Sequence, residues 1–227
     1  MPVSVSCPLV CLFRQEYTPA QGGGGIYAGT RFLIDPMLSP KGALPAFPGT
    51  PNDHLMNPTV ELPIPMGDIL AVDAVIVTHD HLDHWDETAK QLIPKDKPLF
   101  VQNGRDQAAI QASGFTDVRL LGANTEFKGI TLIKTSGQHG SDQFMASPIG
   151  ELLGEVSGVV FKHPDEKTVY PAGDTLWNAH VQASLTQQHM PDVVILNAGD
   201  ARSWASAQSS WASRTSMRSI RRHQRPP

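Results

Sequence analysis

Ala71-Val72-Asp73-Ala74-Val75-Ile76-Val77-Thr78-His79-Asp80-His81-Leu82-Asp83-His84 carries three of the chain's nine histidines within six residues, directly behind an apolar, β-branched run. Such a run reads as a buried strand. On extended chain, side chains at i and i+2 share a face, so His79 and His81 point at one centre. Asp83 and His84 open the next segment, Trp85 to Ile93, which reads as a helix. Burying several imidazoles and acids at one strand end is costly unless something compensates. Neutral imidazole and carboxylate are the ligands preferred by zinc and its borderline neighbours. A strand end of this composition is a place to hold metal.

Three further segments follow the same logic. Arg31-Phe32-Leu33-Ile34-Asp35-Pro36 is a strand ending in an acid. Thr135-Ser136-Gly137-Gln138-His139-Gly140 follows the strand Ile130 to Lys134 and supplies another histidine. Val169-Tyr170-Pro171-Ala172-Gly173-Asp174-Thr175 ends a strand in Asp. Taken alone, Asp174 could equally cap the helix that follows it, and a Gly-flanked loop histidine such as His139 is commonplace. His54, His163, His180, His189 and His223 have no comparable context and read as solvated or locally bonded.

Together, these four segments resemble, in order, the motifs of the metallo-β-lactamase-fold hydrolases, and most closely the lactonase-like metal-dependent hydrolases of the L-ascorbate-6-phosphate lactonase type. The resemblance covers roughly residues 26–200. It implies an α/β fold with two sheets sandwiched between helical layers, αββα. It also implies that His79, His81 and His139 hold one metal, that Asp83 and His84 serve a second, and that Asp174 bridges the pair. The expected cofactor is Zn2+, one or two ions per chain, with Mn2+ or Fe2+ as alternatives at a carboxylate-bearing site. A metal-bound hydroxide would attack an ester, lactone or phosphoester, and Asp83 is the catalytic candidate that orients it and moves its proton. Asp35, Thr78, Asp80 and Thr175 are candidates for fixing the imidazole tautomers.

The remaining organisation reads coarsely as alternating strands (31–35, 71–78, 98–102, 117–121, 129–135, 156–162, 167–171, 192–197) and helices (84–93, 104–113, 177–188). The Pro- and Gly-rich connection 36–66 reads either as a substrate wall, through Phe47, Asp53, His54, Met56 and Asn57, or as a solvated connector. At 227 residues, with 40% hydrophobic and 18% charged composition, one domain with a sizeable core is the default. The expected division is a metallo-β-lactamase-like domain over 1–201 and a basic Ser/Arg-rich tail over 202–227 outside the fold.

The tail holds six Arg, seven Ser and no acid, so the net charge of −4 conceals −10 over residues 1–201. An acidic body speaks against a nucleic-acid partner. That leaves a small-molecule substrate as the expected partner, with a homo-oligomer open. The tail composition points to a shifted reading frame or a truncated copy, or else to a basic interaction tail. After Asp200 the family's last metal-ligand histidine has no counterpart. A metal-binding but catalytically impaired member is therefore the rival to an active hydrolase, and a ribonuclease Z-like nuclease is a second. No apolar stretch is long enough to span a membrane. Pro8 and the missing basic start argue against a secretory signal, and two cysteines make no disulfide framework; cytoplasm is the expectation. The Cys-, Pro- and Gly-rich start, 4–25, leaves strand pairing there open.

Overall fold

The computed structural model describes residues 26–46 and 53–196. The expectations placed on 1–25, on Phe47 and on the tail 202–227 lie outside the described residues. In chain order the elements are β1 (Ile26–Tyr27), β2 (Thr30–Ile34), α1 (Met66–Leu70), β3 (Ala74–Val77), α2 (Glu87–Leu92), β4 (Leu99–Val101), α3 (Gly104–Ala112) and β5 (Val118–Leu120). Then follow β6 (Thr125–Phe127), β7 (Ile130–Gly137), α4 (Asp142–Met145), α5 (Pro148–Leu153), β8 (Val156–Lys162), β9 (Val169–Pro171), α6 (Ala179–Ala183), a π turn (Ser184–Gln188) and β10 (Val193–Ile195).

These strands form two five-stranded sheets, ordered β1-β2-β3-β4-β5 and β10-β9-β8-β7-β6. In the first, β2 to β5 pair parallel. Parallel sheets are covered on both faces, which is why β3 is the unbroken apolar run Ala74-Val75-Ile76-Val77 with every residue buried. The second sheet is antiparallel from β6 to β9, with β10 added parallel to β9.

Alternation along the strands builds the layers. Phe32, Ile34, Ala74, Ile76 and Phe100 from the first sheet meet Phe127, Leu132, Val159 and Phe161 from the second in one buried cluster. Edge-to-face rings tie this interface, Phe32 to Phe161 at 5.1 Å and Phe100 to Phe127 at 5.3 Å between centroids. The opposite-facing Leu33, Val75, Val77 and Val101 cluster with Ile69, Trp85, Ala89 and Ile110 of the α1–α3 layer. On the far side of the second sheet, Val160 and Tyr170 cluster with Val181 of α6. The result is αββα, the expected architecture.

Every strand expected from periodicity is present, most with shorter bounds, although β8 matches 156–162 and the strand expected at 129–135 runs on to Gly137 as β7. The run expected at 71–78 begins at Ala74, because Ala71–Asp73 turns out of α1, with Val72 N–H donating to Leu70 O at 2.8 Å. The helix expected from 84 begins at Glu87: Asp86 caps it by accepting from Ala89 N. The expected helix 177–188 is split into α6 and the π turn. Among the described residues, no helix is long and apolar enough to cross a membrane.

Candidate metal centre

The site is assembled at the C-terminal ends of β2, β3, β7 and β9, where open α/β sheets place their ligand sites. Asp35 follows β2, Thr78 to His84 follow β3, His139 follows β7 and Asp174 follows β9. Two groups result. His79, His81 and His139 bring one ligand atom each within 4.8 Å of one another, as do His79, His84 and Asp174. His79 belongs to both. Asp83 falls in neither; its carboxylate is half-exposed and lies 3.8 Å from His84 Nε2. Asp174 Oδ2 is 3.2 Å from the same nitrogen.

Hydrogen bonds choose the tautomers. Asp35 accepts from Thr78 N–H at 2.7 Å and from Thr78 Oγ1–H at 2.8 Å. With its proton committed, the Thr78 hydroxyl accepts from His79 Nδ1–H at 3.0 Å, which leaves His79 Nε2 with a bare lone pair. His81 Nε2–H donates to the Leu153 carbonyl at 2.9 Å, which leaves Nδ1 as its ligand atom. His84 Nδ1 lies 3.0 Å from Asp35 Oδ2, close but not aligned as a hydrogen bond. Of the expected supports, Asp35 and Thr78 touch the ligands. Thr175 instead accepts from Gln138 N–H at 2.9 Å and so ties the His139 loop to the Asp174 loop. Asp80 is exposed and lines the cavity beside His79 and His81, with no hydrogen bond to a ligand histidine among the described residues.

Two backbone positions hold the carboxylates. Asp35 sits at φ +50°, a left-handed conformation that Asp tolerates better than most residues. Gly173 sits at φ +66°, and a Cβ there would lie 2.4 Å from Ser157 O. Only glycine lets the β9 end pass that close and present Asp174.

The electrostatics separate the histidines. Burial, reinforced by the neighbouring His84, holds His79 well below the ordinary imidazole range. Burial and the adjacent His81 bring His139 down to about 4. Burial also works to lower His84, but the Asp174, Asp35 and Asp83 carboxylates outweigh it and hold that ring well above its usual range. His79 and His139 therefore stand as neutral imidazoles at neutral pH, the form that binds metal.

The donor set fits a metal on its own terms. His79 Nε2 and both ring nitrogens of His139 are buried and have no hydrogen-bond partner. Buried polar atoms without partners are rare and call for an explanation. Three imidazoles with open nitrogens supply it for one ion, and an adjoining imidazole–carboxylate pair for a second.

A cavity of about 380 Å3 opens beside His79 and His81. Its walls are the start of α3, through Asn103, Arg105 and Asp106, and the α5–β8 turn, Leu152 to Glu155. Asp53, His54, Met56 and Asn57, expected as walls, are not among its lining residues. Sequence reasoning did not find Gln102, Asp106 or the Leu153 carbonyl: a backbone acceptor leaves no residue signal, and Asn103-x-x-Asp106 reads only as a helix start.

The sequence profile described as Beta-lactamase superfamily domain matches residues 30–217. The UPF0173 protein YddR of Bacillus subtilis is 47% identical over 175 residues, 77% of this chain and 67% of its own length. A UPF0173 metal-dependent hydrolase of Methanosphaerula palustris is 30% identical over 131 residues, 56% of each chain. The crystal structure of isothiocyanate hydrolase from Delia radicum gut bacteria aligns at TM-score 0.82 and 45% identity, covering 86% of this chain and 76% of that one. A solved structure from Veillonella parvula aligns at TM-score 0.83 and 44% identity, over 87% of this chain and 76% of its own. With the αββα sandwich and the strand-end histidines, these likenesses place the chain in the beta-lactamase superfamily, as one of its metal-dependent hydrolases.

Proposed function

We propose that the chain hydrolyses small carbon electrophiles at a two-metal site held by His79, His81, His139, His84 and Asp174, with isothiocyanates as the leading substrate class. The observation that carries this reading is the convergence of four ligand-type side chains, His81, His139, His84 and Asp174, on His79, with partnerless buried nitrogens on His79 and His139. The 45% identity to an isothiocyanate hydrolase supports the substrate class. Zinc is the proposed metal, because histidine-rich ligation suits it.

Metal bound in that cluster would supply Lewis acidity and lower the pKa of a bound water to about 7, the source of the nucleophile. The chain's own residues do the rest. Asp35 and Thr78 fix the His79 tautomer, and the Leu153 carbonyl fixes that of His81. Asp83, half-exposed at the site's edge, takes the proton from the attacking water and passes it to the leaving nitrogen. For an isothiocyanate, water oxygen adds to the central carbon and the carbon–nitrogen bond then breaks, giving an amine and carbonyl sulfide. The cavity against α3 and α5 receives the substituent on nitrogen. Esters and lactones present the same electrophilic carbon and are the natural comparison substrates.

The test is a metal-loaded assay of amine release from aryl isothiocyanates beside a panel of esters, lactones and phosphodiesters. Turnover of isothiocyanate that disappears in Asp83→Ala supports the reading. Full metal loading with no turnover of any member of the panel contradicts it and points to the catalytically impaired alternative.

A further inference from the structure

Gln102 and Asp106 are buried, polar and unused by the chemistry above, at 4% and 6% exposure. Gln102 leaves the end of β4, and its Nε2 donates twice, to Asp106 Oδ2 at 2.9 Å and to the Glu155 carbonyl at 2.8 Å. Both partners are acceptors, so only the NH2 side of the amide fits there. That orientation strands Gln102 Oε1, which is buried without a partner. Buried acceptors are normally partnered, so the two donations rather than the carbonyl oxygen decide how this amide is held.

What the amide holds is the turn that governs a metal ligand. Glu155 is two residues after Leu153, whose carbonyl accepts from His81 Nε2–H. Between them Gly154 takes φ +69° as it closes α5, donating to Gly150 O at 3.1 Å. Gln102 therefore anchors one end of a three-residue arc whose other end sets the His81 tautomer. Asp106 steadies the amide from α3, where its own N–H donates to the Asn103 cap at 2.9 Å. Lys134 Nζ, reaching from β7, donates to the Gln102 carbonyl at 2.8 Å and fixes the residue's backbone.

We infer that Gln102 and Asp106 are positioning residues for the metal ligand His81, acting through the α5–β8 turn. The inference rests on the reading of His81 as a ligand. The frame keeps His81 protonated on Nε2 and presents Nδ1 as the lone pair. Without the clamp the turn relaxes, Leu153 O drifts from the ring, and the tautomers mix. Outer hydrogen-bond partners of this kind are worth about 10–100-fold in metal affinity, and a support one step further out acts at the low end of that range.

The experiment uses the full chain, 15N-labelled at histidine, metal-free and then titrated with Zn2+ against a competing chelator. Gln102→Met keeps the shape and removes both donations. Asp106→Asn can still accept from Gln102 through its carbonyl oxygen, whereas Asp106→Leu cannot. The expected result is an Nε2–H tautomer for His81 in the wild type and Asp106→Asn, and a mixed tautomer in Gln102→Met and Asp106→Leu. Zn2+ affinity should fall about 10-fold in the last two alone, with far-UV circular dichroism unchanged. Should Gln102→Met fail to fold, the Asp106 pair decides by itself. An unaltered His81 tautomer and Zn2+ affinity in Asp106→Leu would overturn the inference. A wild type that binds no Zn2+ but shows the expected tautomers would overturn the metal reading and leave the frame standing.

Discussion

Replacing Asp35 by Asn probes how the fold arms its metal ligands. Asp35 touches no expected metal position, yet it accepts from Thr78 N–H at 2.7 Å and Thr78 Oγ1–H at 2.8 Å, and His84 Nδ1 lies 3.0 Å from it as an ion-pair neighbour. Asn keeps the size and tolerates the φ of +50°, so the backbone stays in place. Whichever way its amide turns, the NH2 meets a donor that the carboxylate had satisfied. One charge-assisted bond, worth about 1.5–3 kcal/mol, is lost or reversed. The Thr78 hydroxyl is then free to turn toward His79, which removes the constraint keeping His79 Nε2 bare. His84 loses one of the carboxylates that hold its titration high. Because His79 serves both groups, the expected loss of Zn2+ affinity is about 10–100-fold, or about 1.4–2.7 kcal/mol, of the same size as the lost bond. Titrating metal-free protein with Zn2+ against a chelator of known affinity measures it, with circular dichroism confirming the fold. Affinity within about two-fold of wild type, in a folded variant, would refute the tautomer argument.

Other outcomes follow from single positions. Gly173→Ala places a methyl 2.4 Å from Ser157 O at φ +66°; strain of about 1–3 kcal/mol from the backbone alone should lower the melting temperature and displace Asp174, seen as loss of one metal per chain. Asp83→Ala should keep its metal while turnover falls by about 10²–10⁴-fold, so metal analysis beside kinetics separates proton transfer from ligation. Tyr27 donates to Phe161 O and Lys167 O, and burial, helped by Glu166, pushes its phenol up to about 12 from 10.0. Its contribution is thus complete below pH 10 and lost as pH rises through 12, at most about 2.7 kcal/mol. Alkaline unfolding of Tyr27→Phe should lack that part of the slope.

The sheets and the ligands were legible for different reasons. Strand runs such as Ala74-Val75-Ile76-Val77 are buried on both faces and so carry an unmistakable apolar signature. The short β6 and the small helices α4 and α5 were not read, because three to six residues are too few for a period to show. His79, His81 and His84 announce themselves by crowding, whereas His139 and Asp174 needed the family likeness. The supports were only partly visible. Asp35 and Thr78 adjoin motifs, but the Leu153 carbonyl has no side-chain identity, and Gln102 earns its place through a contact 53 residues away in sequence. Asp83, a second-site candidate through the family likeness, is half-exposed at the site's edge, 3.8 Å from His84 Nε2, on the turn after β3. There the His81 carbonyl accepts from the backbone N–H groups of His84 and Trp85.

Metal content addresses the central claim most directly. Purified chain reconstituted with Zn2+ and freed of excess should hold two ions by plasma mass spectrometry. His79→Ala, which removes the residue common to both groups, should hold none, while His139→Ala should keep the ion at His84 and Asp174. Wild-type protein that retains no metal, or a His79→Ala variant that retains both ions, would contradict the account.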